Sequence, residues 1–458
     1  MFGYYSHGWR GRNAQGEIVF AVQTPNYALL MNASKARIER SGTVRSGTDA
    51  AVAVRQDNQS VLDRLSATPL TFQVRAGGIV YDAVAAAPAP DAVLIQRLGK
   101  YLAHVEVRGV TLRAPDAPLL EGANASIHLY AWPDHARVTF QLDSAVGLDD
   151  VTLTARYAAR AGRKALRAVN LVSEVQRDRI DGNTTIVEHT VPAIAAGAGA
   201  SLTVGLSPRA AAPAGGGDAC VIRATGIAPY TGELAVFQDP VAGWRQVMLG
   251  ENADIWTAER VRLELENPGD AARTVHLAFS KRGGGFGITG MSPVLCDEFG
   301  APLGLPVQIS KNWHVRPPWF DAVTMVDLAP RATRRIEFRL AYADWGGAPA
   351  VSHAQLALEG WGTHQLWDEC AIGSFGESIT YDPDVNLGRA MIDDVRPLMV
   401  WGMGAGPQRK WSWTHNVGGG DLLVLEQDGK RQYVVRQKTH YESQGPVLTN
   451  VQYAGETP

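Results

Sequence analysis

The stretch Ile127–Ser144, IHLYAWPDHARVTFQLDS, reads as two β-strands folded back on each other. Its turn is Trp132-Pro133-Asp134-His135, where proline presets the backbone and aspartate bonds to nearby main chain. Just downstream, VTLTARY (Val151–Tyr157) alternates apolar and polar residues with period two, the mark of a strand that shows one face to a core.

The same rhythm runs outward in both directions. Glu17–Ile38 (EIVFAVQTPNYALLMNASKARI) holds two strands around Thr24-Pro25-Asn26, and Leu94–Leu112 adds more. Asp181-Gly182-Asn183 is a turn, and Thr184–Ile194 (TTIVEHTVPAI) is the strand after it. Val261–Ser280 (VRLELENPGDAARTVHLAFS) reads as two strands around Asn267-Pro268-Gly269-Asp270, and Arg335–Tyr342 and Ala354–Leu358 continue the theme. Leu422–Tyr441 is a hairpin with Asp428-Gly429 at its tip. Only Val172–Ile180 (VSEVQRDRI) and a single turn at Leu62–Ser66 read as helical. The expectation is an all-β chain built as a large antiparallel β-sandwich with few short helices.

Residues 194–217 are rich in Ala, Gly and Pro and predict a loop or linker between an N-terminal part, 1–193, and a second β-rich part, 218–458. At 458 residues, 45% apolar and 19% charged, the chain can bury a large core. A net charge of −3 without basic runs argues against a nucleic-acid partner, and no long apolar stretch argues for a membrane. Cys220, Cys296 and Cys370 are too far apart for a disulfide framework or a metal knuckle and are expected as buried thiols. No signal peptide is visible. The chain stops just after a strand-like run, which suggests a piece of a longer, exported protein, extracellular or periplasmic.

The run QTPNYALLMNASKARI, together with HLYAWPDHARVTFQLDS and VTLTARY, resembles the opening strands of the galactose-mutarotase-like β-sandwiches attached to glycoside hydrolases and polysaccharide lyases. The resemblance covers about 1–200, rests on strand rhythm and carries over no catalytic residue. It implies a carbohydrate setting.

The second half points the same way independently. Of 12 tryptophans, eight lie from Trp313 to Trp413, and five of these are interleaved in Gly360–Asp421 with acids, histidines and glycines. Sugars stack their apolar faces on indoles and bond their hydroxyls to carboxylates, Arg and His. Trp361, Trp367, Trp411 and Trp413 are therefore candidate platforms. Asn312, His314, Arg396 and His415 are candidate hydroxyl contacts. Glycoside hydrolysis needs a protonated acid and an ionised carboxylate in one cleft, and Glu377 with Asp368 or Glu369 can supply them. Adjacent strand residues point to opposite faces, so only one of Asp368 and Glu369 can share a cleft with Glu377.

Asp382, Asp384, Asn386 and Asp393 have the first, third, fifth and twelfth places of a calcium loop, although Leu387 stands where glycine is wanted. A plain turn around Pro383 is the competing reading. Three functions stay open: a glycoside hydrolase, a polysaccharide lyase using Tyr441 or His415 on a uronate polymer, and a non-catalytic carbohydrate-binding module.

Overall fold

The computed structural model describes residues 7–24, 26–43, 65–85, 92–97, 102–116, 118–158, 165–172, 175–208, 220–228, 230–250, 259–282, 291–305, 307–312 and 319–342. Beyond these it describes the strand segments 354–359, 369–374, 377–378, 392–395, 398–401, 410–413, 418–420, 425–432, 435–443 and 450–456. The chain divides into two compact units, Met1–Leu98 with Leu102–Gly215, and Gly99–Tyr101 with Gly216–Pro458. Both are all-β and predominantly antiparallel, and each pairs its sheets around an apolar core.

The first unit contains β1 (His7–Arg12), β2 (Ile18–Gln23), β3 (Tyr27–Asn32), β4 (Arg37–Thr43), β5 (Ser66–Ala76), β6 (Ile79–Ala85), β7 (Val93–Arg97) and β8 (Ala103–Arg113). It continues with β9 (Ala123–Ala131), β10 (Ala136–Ser144), β11 (Leu148–Ala158), β12 (Arg167–Asn170), β13 (Arg177–Asp181), β14 (Thr184–Ile194) and β15 (Ala198–Ser207). One layer is the meander β1 to β6, extended from β5 through β11 and β14 to β13. The other is β7-β8-β9-β10-β15-β12. The long β8 belongs to both: it pairs with β6 and with β9, and its register shifts between Val107 and Val110, where Gly109 has a φ of 59°. Such a bulge bends a strand and lets it leave one sheet for another. Phe72 of β5 and Phe140 of β10 stack between the layers with ring centroids 5.2 Å apart.

The opening stretch folds as its sequence predicts. β9 and β10 pair Ala131 with Ala136, and the Trp132 N–H bonds to the His135 carbonyl at 2.9 Å. The buried Tyr27 hydroxyl donates to the Trp132 carbonyl at 2.7 Å, tying this turn to β3.

Three features depart from the sequence reading. Val172–Ile180 is not helical over its second half, because Arg177–Asp181 is the edge strand β13, turned onto β14 through Gly182. The loop expected over 194–217 begins as strand β15, which lies between β10 and β12. Within β15 the packing is tight: a Cβ on Gly205 would stand 2.7 Å from Val169 Cγ2. The Ala/Gly/Pro-rich remainder of that segment, 209–217, lies outside the described residues. In β11 the polar positions Thr152 and Thr154 are buried as well, since β5 and β14 flank it, whereas Arg156 is exposed; Thr152 satisfies its hydroxyl with Arg75 and Thr190. Of the single turn expected at Leu62–Ser66, residues 62–64 lie outside the described residues and Ser66 begins β5.

The second unit contains β16 (Val221–Ala228), β17 (Gly232–Leu234), β18 (Val236–Gln238), β19 (Arg245–Met248), β20 (Glu259–Glu266), β21 (Arg273–Arg282) and β22 (Met291–Asp297). After them come β23 (Gln308–Asn312), β24 (Trp319–Leu328), β25 (Thr333–Tyr342), β26 (Ala354–Glu359), β27 (Glu369–Ser374), β28 (Glu377–Ser378) and β29 (Ile392–Val395). A five-stranded sheet, β17-β16-β20-β25-β22, packs on a ten-stranded one, β18-β19-β21-β24-β23-β26-β27-β28-β29, closed by Gly418–Gly420. The turn Asn267–Asp270 joins β20 to β21, which do not pair with each other; it carries the chain from one sheet to the other. Between the sheets lie Val261, Leu263 and Leu265 on one side and Val275, Leu277 and Phe279 on the other, with Phe279 stacked on Phe338 at 4.0 Å. Asp428 and Gly429, with φ of 53° and 70°, form the tip of the hairpin Leu425–Gln427 and Lys430–Gln432. Both positive φ values are what the Asp-Gly pair is suited to.

Candidate functional site

Two polar networks sit in the second unit where β20 and β24 begin and β21 ends, and apolar alternation alone would not predict them. In β20 the core positions run Glu259, Val261, Leu263, Leu265; in β21 they run Val275, Leu277, Phe279, Lys281. Each series ends in a charge, and the charges are opposite. Glu259 and Lys281 form a buried ion pair through Oε1 and Nζ, with side chains 0% and 2% exposed. The Tyr230 hydroxyl donates to the other Glu259 oxygen at 3.0 Å. Burial pushes the Tyr230 hydroxyl's pKa up, and the Glu259 carboxylate pushes it further. Its ring is held between Gly226 and Gly250, where added Cβ atoms would come within 2.6 and 2.8 Å of ring carbons. This tyrosine is locked as a donor, and the trio bolts the two sheets together.

The second network lies on the other face of the ten-stranded sheet. Asp321 of β24 is buried and accepts a bond from the Ser280 hydroxyl of β21. The Arg282 guanidinium grips both Asp321 oxygens, Nη1 to Oδ1 at 3.0 Å and Nη2 to Oδ2 at 3.4 Å, while its own side chain is 45% exposed. A buried carboxylate thus anchors a half-exposed arginine fork.

Register extends this face across the sheet. Ser280 pairs with Asp321, and Asp321 with Ser310; Arg282 pairs with Trp319, and Trp319 with Asn312. Ser310 pairs with Leu358, and Leu358 with Cys370. Ser374 is in phase with Cys370 along β27 and pairs with Glu377. Glu377 and Asn312 are therefore in phase with Asp321 and Arg282. Glu369 falls in the opposite phase: it pairs with Glu359, Glu359 with Lys311, Lys311 with Phe320, and Phe320 with Lys281.

Of the remaining sequence-predicted residues, Asp393 is on β29, next to β28 in the sheet. Trp411 and Trp413 are two residues apart on the strand Lys410–Trp413, paired with Val400 and Leu398, so they share one phase in a separate two-stranded sheet. Tyr441 lies on Val435–Ser443, opposite Val451. Trp361, Trp367, Asp368, His314, Arg396, His415, Asp382, Asp384 and Asn386 lie outside the described residues. Cys220 and Cys296 are buried free thiols. Burial raises the Cys296 pKa, although Arg339 and Arg260 oppose this, which makes it a poor nucleophile.

Sequence reasoning missed Asp321, Arg282 and Ser280. The signal was available: acid and base at matched ends of the alternating runs Arg273–Arg282 and Trp319–Leu328.

No protein-family model matches the chain. No curated protein matches it either. Among solved structures, a galactose mutarotase-like protein from Clostridium acetobutylicum is similar at 7% sequence identity with a TM-score of 0.19, the match covering 73% of this chain and 97% of that one.

Proposed function

We propose that this chain is a carbohydrate-active protein that cleaves a glycosidic bond in a polysaccharide or oligosaccharide. Glu377 and Asp368 serve as the carboxyl pair, one as general acid and the other as base or nucleophile. Trp361, Trp367, Trp411 and Trp413 stack on sugar rings, and Asn312, His314, Arg396 and His415 bond their hydroxyls. The observation that carries the reading is the clustering in sequence of eight of the 12 tryptophans with acids, histidines and arginine from Trp313 to Trp413. The phase of the ten-stranded sheet supports Glu377 over Glu369, because Glu377 runs in register with the polar rows of β21, β24 and β23 and Glu369 does not. An exported location belongs to the same reading, since polysaccharides are met outside the cell.

The test is a Glu377→Gln variant assayed for release of reducing ends from a broad panel of polysaccharides. Loss of release by at least about 100-fold with glycan binding retained is expected for removal of a general acid or base. Full activity would remove the assignment. Product that absorbs in the ultraviolet on uronate polymers would identify β-elimination instead, by Tyr441 or His415. Glycan binding without any cleavage by the unmodified chain would identify a binding module.

A further inference from the structure

The first unit holds a cluster of hydroxyl and imidazole side chains that glycan cleavage does not use. On β8 and β9 the residues of one phase, Val105, Val107, Ile127 and Leu129, are fully buried in the core. The other phase carries His104 and Glu106 on β8, and Ser126, His128 and Tyr130 on β9. Ser126 and His128 are two residues apart on one strand and so share a face. Ser126 Oγ lies 3.2 Å from His128 Nε2, and His128 Nδ1 lies 3.4 Å from His104 Nε2. Ser126 and His128 are half-buried, whereas His104 is 5% exposed.

These contacts form a relay. When the Ser126 hydroxyl donates to Nε2, His128 carries its own proton on Nδ1 and donates it to His104 Nε2. The Tyr130 ring lies flat on His104, with centroids 4.0 Å apart and planes at 18°, and so fixes the imidazole that orients His128. Glu106 stands opposite His128 in register, but Arg108 binds both of its carboxylate oxygens, at 2.6 and 3.1 Å. His104 is therefore the third member. A hydroxyl within reach of a base, and a base oriented by a third group, is the arrangement that makes a serine nucleophilic.

We propose that Ser126, His128 and His104 hydrolyse carboxylic esters with a short acyl group, as a second activity independent of glycan cleavage. Ser126 Oγ bonds to the acyl carbon while its proton passes to His128 Nε2. His128 then gives that proton to the leaving alkoxide oxygen as the ester C–O bond breaks. Water repeats the sequence on the acyl-serine: its hydroxyl bonds to the acyl carbon, its proton passes through Nε2 to Ser126 Oγ, and the carboxylic acid leaves. Two features set the substrate. An uncharged imidazole at Nδ1 stabilises the imidazolium less than a carboxylate would, which suits esters, whose alkoxide leaves readily, rather than amides. Thr139 and Gln141 of β10 stand in register with His128 and Ser126, so the surroundings are polar and suit an acetyl group rather than a long apolar chain. Ser126 and His128 are the catalytic residues, and His104 is a positioning residue.

The experiment treats the full chain with a fluorophosphonate, maps the adduct by mass spectrometry, and measures hydrolysis of p-nitrophenyl acetate. A covalent adduct on Ser126 is expected, with loss of ester turnover on labelling. Turnover is expected to fall at least about 100-fold in Ser126→Ala and in His128→Gln. His104→Ala should slow turnover, and His104→Gln, whose amide oxygen accepts from His128 Nδ1, should restore most of it; a histidine that only fills space would give no such rescue. No adduct on Ser126, an adduct without ester turnover, or turnover that survives in Ser126→Ala overturns the proposal, as does turnover unchanged by His104→Ala. Should the alanine variants misfold by circular dichroism, the position of the adduct on the unmodified chain and its effect on turnover decide the question.

Discussion

Lys281 and Glu259 are the residues at which the second unit departs most from an oily sandwich. Each occupies a position its strand would otherwise give to an apolar side chain, and neither is exposed. Two charges leave water, and their mutual attraction and the bond from Tyr230 help to compensate. Removing one partner therefore costs more than removing both. Lys281→Met is expected to destabilise the protein by about 3–5 kcal/mol, while Lys281→Met combined with Glu259→Leu recovers most of that loss. Urea unfolding of the two variants and of Glu259→Leu alone checks this. Equal losses in the single and double variants would contradict it.

Strands and their junctions carry the next level. Gly205 lies in β15 between two neighbours, opposite Val169 of β12 and Arg137 of β10. An added Cβ would meet Val169 Cγ2 at 2.7 Å and Leu171 Cγ at 2.9 Å. Gly205→Ala is expected to force β12 away from β15 at about 1–3 kcal/mol, read as a lower denaturation midpoint with an unchanged denaturant slope. No loss would mean that β12 shifts freely. Leu202, Val204 and Leu206, all fully buried, hold Ala198–Ser207 in the sheet as a paired strand. By contrast, Asn267–Asp270 reads like a hairpin turn but joins two sheets. Alternation shows that β20 and β21 each bury one face; it does not show whether those faces share a sheet or oppose each other across the core.

At the scale of the whole molecule, acid stability has a visible source. Glu17 receives the Lys35 ammonium at 2.8 Å and the amides of Asn13 and Asn32, also at 2.8 Å, and these bonds, Lys35 first, lower its pKa from 4.5 to about 2. In the second unit burial raises the Glu337 pKa, but the Arg260 fork and a bond from Arg339 Nε more than reverse it, and Arg335 and Arg223 hold Glu264 down. Each folded pKa is depressed, so the stabilisation is present above the unfolded value of 4.5 and is lost as pH falls through the folded one. Thermal unfolding is expected to drop steadily from pH 5 towards about 2. Glu17→Gln should flatten part of that slope. A variant with the original slope would show that the cluster around Glu17 contributes nothing.

The amino-acid sequence by itself determined the β character of the chain and several strands of both units. The pair around Trp132–His135, the strand Val151–Tyr157 and the Asp428-Gly429 tip are all local, governed by side-chain period and turn chemistry over a few residues. It also determined which residue types cluster in the second half. Only the tertiary structure decided that Arg177–Asp181 is an edge strand, that Ala198–Ser207 is sheet rather than linker, and that Glu377 runs in phase with Asp321 and Arg282 while Glu369 does not. Those outcomes depend on which strands lie side by side and in what register, and residues far apart in the chain settle that by packing against one another.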